Sequence, residues 1–554
     1  MRRLVSILLA LTMVLCLLPA VAFAAEVASG TCGQDATWVL DDTGTLTISG
    51  TGYIDACYKS APWSKYKDQI IQVVIGEGIV NTGYKAFQNC KKLESVSLPA
   101  GLESVSGYSF SKCTSLQEIV IPDGAEEVGE YAFEGCTGLQ EVVMSDTVEM
   151  IWEQAFGNCF GLQKVKFSSN LQEIGPSAFS LCKALTGIEI PQSVHTIRES
   201  AFNGCKAMTY ATFQEGLLTI GNYAFRMCSG LTELDLPDSL TKIDICAFED
   251  CDGLTGVTIP VGVTDFGGEA FRYCDNLTQI LAVEENPNYC SVDGVLYSED
   301  KTVLVEYPAG REGAYAIADG VVTLGTGAFS TAQKLTAVTI PDSVTTLESN
   351  AFFNCDSLTE VIIPDSVTTM DNNAFDGCDA LASVKLSESL AVIPTRAFMR
   401  CESLVSVTIP ASVTELNARG FDGCSVLSEI YFQGNAPVMA ETLFAEVIAT
   451  AYYPAGDSTW TEDVMQNYGG TITWIAYTPG ETGGEEAPDE VLPGDMTGDG
   501  VIDDSDVAQL LWHTLFPAEY PISGTADFTG DGEVDDADVA YLLWHTLFPD
   551  AYPL

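Results

Sequence analysis

The chain has 554 residues with 77 acidic and 24 basic side chains, a net charge of −53, and 18 cysteines. That charge excludes nucleic acid and anionic membranes as partners, because phosphate contacts need clustered Lys and Arg. A hydrophobic content of 47% excludes a disordered chain, and the surplus of carboxylates favours solubility and cation binding.

Arg2 and Arg3 precede an apolar run over residues 4–22, and Ala22-Phe23-Ala24 has the small-residue spacing of a cleavage site. Residues 1–24 therefore read as a secretory signal peptide, with an uncleaved membrane anchor as the alternative. No second apolar stretch of 18 residues follows, so the expected mature protein is secreted, without an anchor of its own. It is extracellular or held at a cell surface through another protein. Residues 25–83 alternate like strands, as in Leu46-Thr47-Ile48-Ser49, and are expected to form an N-terminal cap.

A repeat follows. Phenylalanine recurs every 23 residues from Phe87 to Phe271 and again from Phe329 to Phe421, giving fourteen copies of A-F-x-x-C-x-x-L-x-x-V-x-I-P-x-x-V-x-x-I. A fixed period with Leu and Ile at set offsets predicts a leucine-rich solenoid, in which each unit buries its apolar face only by stacking on its neighbours. L-x-x-V-x-I predicts a short parallel strand, ended in many copies by a proline such as Pro122 or Pro364. A-F-x-x-C predicts a single buried helical turn, which makes the expected class an α+β solenoid. The exposed residue in mid-strand changes type freely along Lys166, Glu189, Thr212, Asp235 and Thr258.

Thirteen of the 18 cysteines occupy one place in the repeat, where Ala332 stands in for the fourteenth. A place that accepts Ala reads as a packing site, so the cysteines are expected to stack as free thiols. Serial disulfides and a metal site are the alternatives, and Cys32 and Cys57 are a possible pair within the cap. Between Phe271 and Phe329 the period breaks. An insert at about 284–315 carries Val292-Asp293-Gly294-Val295, the signature of a hairpin with a type I′ turn. Residues 431–477 are expected to close the solenoid as a C-terminal cap.

The A-F-x-x-C-x-x-L-x-x-V-x-I-P unit resembles the BspA-type leucine-rich repeat of bacterial surface and secreted proteins, over about residues 30–477. Its end cap and the Asn286-Pro287-Asn288-Tyr289 segment resemble that family's companions. The resemblance implies binding or adhesion to varied targets.

Residues 478–493 read as a Gly-, Glu- and Pro-rich linker. In residues 494–554 a second repeat appears, offset by 32 residues. Each copy has oxygen ligands at loop positions 1, 3, 5, 9 and 12, a carbonyl at 7, and Gly at 6 for the sharp turn. The expected metal ligands are Asp495, Thr497, Asp499, the Val501 carbonyl, Asp503 and Asp506. In the second loop they are Asp527, Thr529, Asp531, the Glu533 carbonyl, Asp535 and Asp538. Hard oxygen donors select Ca²⁺, one ion per loop. A near-identical helix is predicted after each loop, over 507–516 and 539–548.

One short helix per loop and Asp at position 12 resemble a type I dockerin, the module that binds a cohesin on a scaffold protein. The resemblance implies a small all-α calcium-binding domain and a cellulosome-like, polysaccharide-degrading setting. Thr at position 3 departs from the usual Asn or Asp and is expected to weaken calcium affinity. Leu511, Trp512, Phe516, Leu543, Trp544 and Phe548 stand where many dockerins carry Lys and Arg. With Asp504, Ser505, Asp536 and Ala537 they are the expected cohesin contacts, unless the aromatics only form the module's own core.

No catalytic constellation accompanies these features. Paired carboxylates in a sugar-sized cleft are not specified, and His195 is the only histidine before the tail, in a polar turn. The sequence therefore reads as a secreted, non-catalytic binding protein docked through calcium-loaded helices. The alternatives are a carbohydrate-active hydrolase subunit of the same assembly, and an adhesin for host or bacterial surface proteins. The solenoid's own ligand, protein or glycan, is not specified.

Overall fold

A computed structural model describes residues 24–478 and, beyond them, Val507, Leu510, Val539 and Leu542. Two compact units are present: Met1–Tyr453 with Asp457–Ile475, and Pro454–Gly456 with Ala476–Leu554.

In the first unit every 23-residue repeat makes one coil with three sides. The first side is a strand of three to five residues, such as Glu118–Ile121, paired parallel and in register with Glu141–Met144 of the next coil. Alternation decides its orientation: Ile119 and Ile121 are buried while Glu118 and Val120 face water. The second side is a two-residue strand, and eight of these form one ladder from Ser104–Val105 to Asp265–Phe266.

The third side corrects the sequence reading. A-F-x-x-C is not a helical turn, and no α-helix occurs among residues 24–478; the only helical segment there is the 3-10 turn Ser64–Tyr66. The solenoid is a β-solenoid, not α+β. Each A-F-x-x-C is a tight turn bracketed by two left-handed residues, for example Tyr131 (φ 54°) and Gly135 (φ 72°). Besides three-residue turn bonds such as Cys113 N–H to the Phe110 carbonyl at 3.1 Å, it donates to the next coil: Phe110 N–H to the Ala132 carbonyl at 2.8 Å and Lys112 N–H to the Glu134 carbonyl at 2.6 Å. Stacking satisfies backbone groups that one helical turn would leave orphaned. The expected small all-α module is likewise not seen. Of residues 479–554 only Val507, Leu510, Val539 and Leu542 are described; each is helical, Leu510 and Leu542 are buried, and four residues do not make a domain.

Phenylalanine rings fill the centre. From Phe87 to Phe271 successive centroids lie 5.1 to 5.4 Å apart and nearly parallel. Trp63 stacks beneath Phe87 at 5.2 Å, and Phe444 continues the second run above Phe421 at 5.9 Å. Beside the rings the described cysteines are free, and from Cys113 onward each ladder thiol donates to a phenylalanine carbonyl of the preceding coil, as Cys136 does to Phe110 at 3.2 Å. Burial pushes the Cys136 thiol up to about 12.

The N-terminal strands Glu26–Thr31, Asp35–Asp41 and Thr45–Thr51 are antiparallel, and the last pairs parallel with Gln72–Ile75, starting the first ladder. In the insert, Tyr289–Val292 and Val295–Ser298 form an antiparallel hairpin whose turn residues Asp293 (φ 49°) and Gly294 (φ 76°) are both left-handed, as a type I′ turn requires. Val295, Leu296 and Tyr297 are all fully buried: Leu296 joins the N-terminal core, while Val295 and Tyr297 join the C-terminal one. The hairpin thus separates two hydrophobic cores within one solenoid.

Candidate binding surface

The first-side ladder is not continuous. Before the insert it breaks between Ser95–Ser97 and Glu118–Ile121, between Lys164–Lys166 and Gly187–Ile190, and between Glu233–Asp235 and Gly256–Ile259, once every three coils; after the insert it breaks again beyond Leu335–Thr339 and beyond Ser383–Lys385. In the coils just before the first three breaks the strand ends one residue early, with Leu98, Phe167 or Leu236 in the fourth place instead of a paired residue. The Lys164 break opens into a groove of about 750 Å³.

Gly187 and Tyr210 are directly opposite in register on adjacent coils, both at outward places. A Cβ on Gly187 would lie 2.2 Å from a Tyr210 ring carbon, so the ring lies across the glycine, in the space a side chain would fill. Gly187 does not adopt a positive φ, so it is required by the ring and not by the backbone. Tyr210 remains 37% exposed, and among the described residues no other ring stacks on it. The groove floor is apolar, from Phe167 and Ile190.

Its walls carry opposite charges in balance: Lys164 and Lys166 against Asp146 and Glu189. Lys164 also pairs with Glu141 at 3.1 Å. The Ser169 backbone N–H donates to Asp146 at 3.1 Å, which, with the Ser169 hydroxyl, holds the carboxyl below its ordinary range and charged. In a chain of net charge −53 this groove is locally neutral. Gln163 and Gln214 add amides that both donate and accept.

In two other features the charged side chains are largely engaged with one another or with the backbone. Near the insert, an opening of about 550 Å³ is lined by Arg311 and Lys334. Arg311 is already committed there, donating to the Asp293 carboxylate at 2.8 Å and lying 5.6 Å from both the Tyr307 and Tyr315 ring centres. At the joint between the two cores, Glu249, Glu269 and Glu306 are all buried. Glu306 accepts the Phe271 N–H at 2.8 Å; burial pushes its carboxyl up to about 8. Tyr273 N–H donates to the Thr331 hydroxyl at 2.8 Å. Glu306 and Thr331 replace the carbonyls that a regular coil would supply, and Glu269 accepts the Ser330 hydroxyl at 2.8 Å across the joint.

A tyrosine row, the exposed Tyr58 and the half-buried Tyr84, Tyr108 and Tyr131, also marks the N-terminal coils. Tyr108 and Tyr131 stack at 4.6 Å and Lys85 lies over two of the rings, so these faces are used among themselves.

The twelve expected calcium ligands, Asp495 to Asp506 and Asp527 to Asp538, lie outside the described residues, as do all ten expected cohesin contacts. Among the described residues no group of three His, Cys, Asp or Glu side chains converges to hold a metal. His195 is exposed, its backbone N–H spent on the Gln172 carbonyl. The sequence reading named Lys166 and Glu189 in the variable column but missed Gly187 and Tyr210. The signal was present: a glycine at an outward strand place, 23 residues before a tyrosine at the same place, marks one ring covering another coil's backbone.

Stacked coils with strand, turn and short-strand sides around a central phenylalanine column define a leucine-rich-repeat solenoid. The sequence model of the BspA-type leucine-rich repeat region matches residues 65–186, 172–288 and 316–449, and the chain belongs to that family. Among solved structures it is similar to a leucine-rich repeat protein from Eubacterium ventriosum (22% identity, 83% of this chain and 99% of that one, TM-score 0.40). It is also similar to a leucine-rich cell surface protein from Faecalibacterium prausnitzii (24% identity, 81% and 95%, TM-score 0.47). A third is a leucine-rich repeat protein from Bacteroides ovatus (20% identity, 80% and 99%, TM-score 0.46). No curated protein matches the chain.

Proposed function

We propose that this chain is an exported, non-catalytic recognition protein whose solenoid binds a ligand on the first-side strand face. The observation that carries the reading is the groove at Gly187 and Tyr210, a shaped, locally neutral opening on a frame whose buried residues are otherwise uniform from coil to coil. Leucine-rich repeat proteins are generally binding proteins, and their ligands are most often proteins; solenoids present extended surfaces suited to that role.

The tail is the anchor in this reading. Its two loops offer only hard oxygen donors, eight of them carboxylates, a donor set that fits calcium. With calcium bound, Leu511, Trp512, Phe516 and their counterparts Leu543, Trp544 and Phe548 would contact a cohesin on a scaffold, placing the solenoid in a polysaccharide-degrading assembly. From residue 480 onward there are 18 acidic residues and no Lys or Arg, so the segment repels itself until cations neutralise it.

The test is capture of the full chain on an immobilised type I cohesin, with calcium and with EGTA, beside an assay for reducing-sugar release. Calcium-dependent capture without sugar release is expected. Capture unaffected by EGTA sinks the docking reading, and sugar release makes the chain a hydrolase subunit.

A further inference from the structure

We propose that the groove across the Lys164–Lys166, Gly187–Ile190 and Tyr210–Phe213 strands binds a neutral saccharide, with the Tyr210 ring as its stacking platform. This rests on the recognition reading above and names the ligand class of that site.

Three properties of the groove select the ligand. The first is shape. Its volume of about 750 Å³ is within the range of small-molecule and oligomer sites, and the three strands it crosses span two coil spacings, about 10 Å. Such a trough admits a short oligomer lying along the solenoid axis.

The second is the platform. Tyr210 lies across Gly187 with more than a third of its surface exposed and no ring upon it, unlike the tyrosines at 108 and 131. A part-exposed aromatic ring lining a groove offers an apolar, polarisable surface to a ligand that is polar at its edges and apolar on its faces. A pyranose has that character: axial C–H groups on its faces, hydroxyls around its rim.

The third is charge. Two lysines balance two carboxylates along the walls, and the amides of Gln163 and Gln214 donate and accept. Hydroxyls can use both kinds of group, since each donates once and accepts twice. A uronic or sulfated saccharide would add uncompensated negative charge beside Asp146 and Glu189, within a chain of net charge −53. The site therefore favours uncharged sugars.

The experiment is calorimetric titration of the full chain with cellohexaose, xylohexaose and mannohexaose, and with hexagalacturonate as the anionic comparison. Binding of at least one neutral hexasaccharide is expected. Tyr210→Ala should weaken it about tenfold or more. Gly187→Thr, whose side chain takes the space of the ring, should do the same from the opposite coil. Tyr58→Ala removes an exposed tyrosine elsewhere and should leave binding unchanged.

The proposal is overturned if none of the neutral hexasaccharides binds, if hexagalacturonate binds more tightly than all of them, or if Tyr58→Ala weakens binding as much as Tyr210→Ala. Cohesin capture by the same preparations reads the anchor separately. Loss of saccharide binding with intact calcium-dependent capture sinks the ligand class and not the docking reading.

Discussion

The Phe271 backbone N–H donates to Glu306 Oε1 at 2.8 Å, across the place where the solenoid's regular coil-to-coil ladder is interrupted. In an ordinary coil a carbonyl fills this role, as the Ala270 carbonyl does for Phe248. The insert removes the next coil from position, and a buried carboxyl takes over. The Glu306 Oε2 atom has no hydrogen-bond partner among the described residues, and Glu269 lies near enough to disfavour a second negative charge.

This arrangement makes stability depend on pH in a definite sense. Burial holds the Glu306 carboxyl at about 8 in the folded chain, against about 4.3 for an unperturbed glutamate. Between those values the folded state binds the proton and the unfolded state does not, so stability falls as pH rises from about 4.3 and levels off above about 8. Thermal melts at pH 5 and pH 8.5 should show a drop in the parent chain and a smaller one in Glu306→Gln. The variant should be the more stable at pH 8.5, by a few kcal/mol in order of magnitude. Equal pH dependence in both chains would contradict the assignment.

The phenylalanine column predicts a uniform cost of truncation. Phe225 is fully buried, stacked 5.2 and 5.3 Å from its two neighbours and met edge-on by Phe213. Phe225→Ala should destabilise the solenoid by about 3–5 kcal/mol, read from the denaturant midpoint. Phe444→Ala should also destabilise, because Phe444 extends the same column beyond the last regular repeat.

The thiols should be silent until the chain unfolds. The ladder cysteines are buried, those from Cys113 onward each donating to a phenylalanine carbonyl, and burial pushes Cys90, Cys136 and Cys424 up to about 12. Thiolate is scarce at neutral pH, so a thiol reagent should label the native chain at Cys290, the one cysteine among the described residues that is not buried. Unreduced protein in denaturant should then release the rest. A low count there would mean disulfides. Cys205→Ala should cost only about 1 kcal/mol, since Ala332 fills the same place in its own coil.

Calcium affinity in the tail should respond to loop position 3. Thr497→Asp and Thr529→Asp each add a carboxylate to a loop that now has a hydroxyl there. Calorimetry should show tighter binding in each variant, with two ions per chain in the parent. Asp499→Asn and Asp531→Asn should weaken one site each. No change in any of the four would remove the loops from consideration as calcium sites.

Much of the solenoid is legible in its period. Fourteen phenylalanines at 23-residue spacing are enough to place one ring per coil, because a ring that recurs at fixed offset has only the axis of a stack to occupy. Phe444 escapes that reading since Leu443 and Val447 replace the Ala and Cys around it. The turn conformation escaped for a different reason. Ala, Phe and Cys suit a helical turn by size, and only Gly135, Gly204, Gly377 and Gly423, with Asn89, Asn158 and Asn354 at the equivalent place, signal a left-handed residue before the cysteine.

The sequence by itself determined what repeats: the length of a coil, the buried phenylalanines, the small place held by cysteine, and the paired acidic loops of the tail. Each follows from spacing, because identical neighbours must bury identical faces. Only the tertiary structure decided what depends on two different coils meeting. Gly187 lies beneath Tyr210, Glu306 stands in for a missing carbonyl, and Leu296 and Tyr297 face opposite cores because contacts across coils, 23 or more residues apart, place them there. The period is a property of one unit, whereas the groove and the joint are properties of its exceptions.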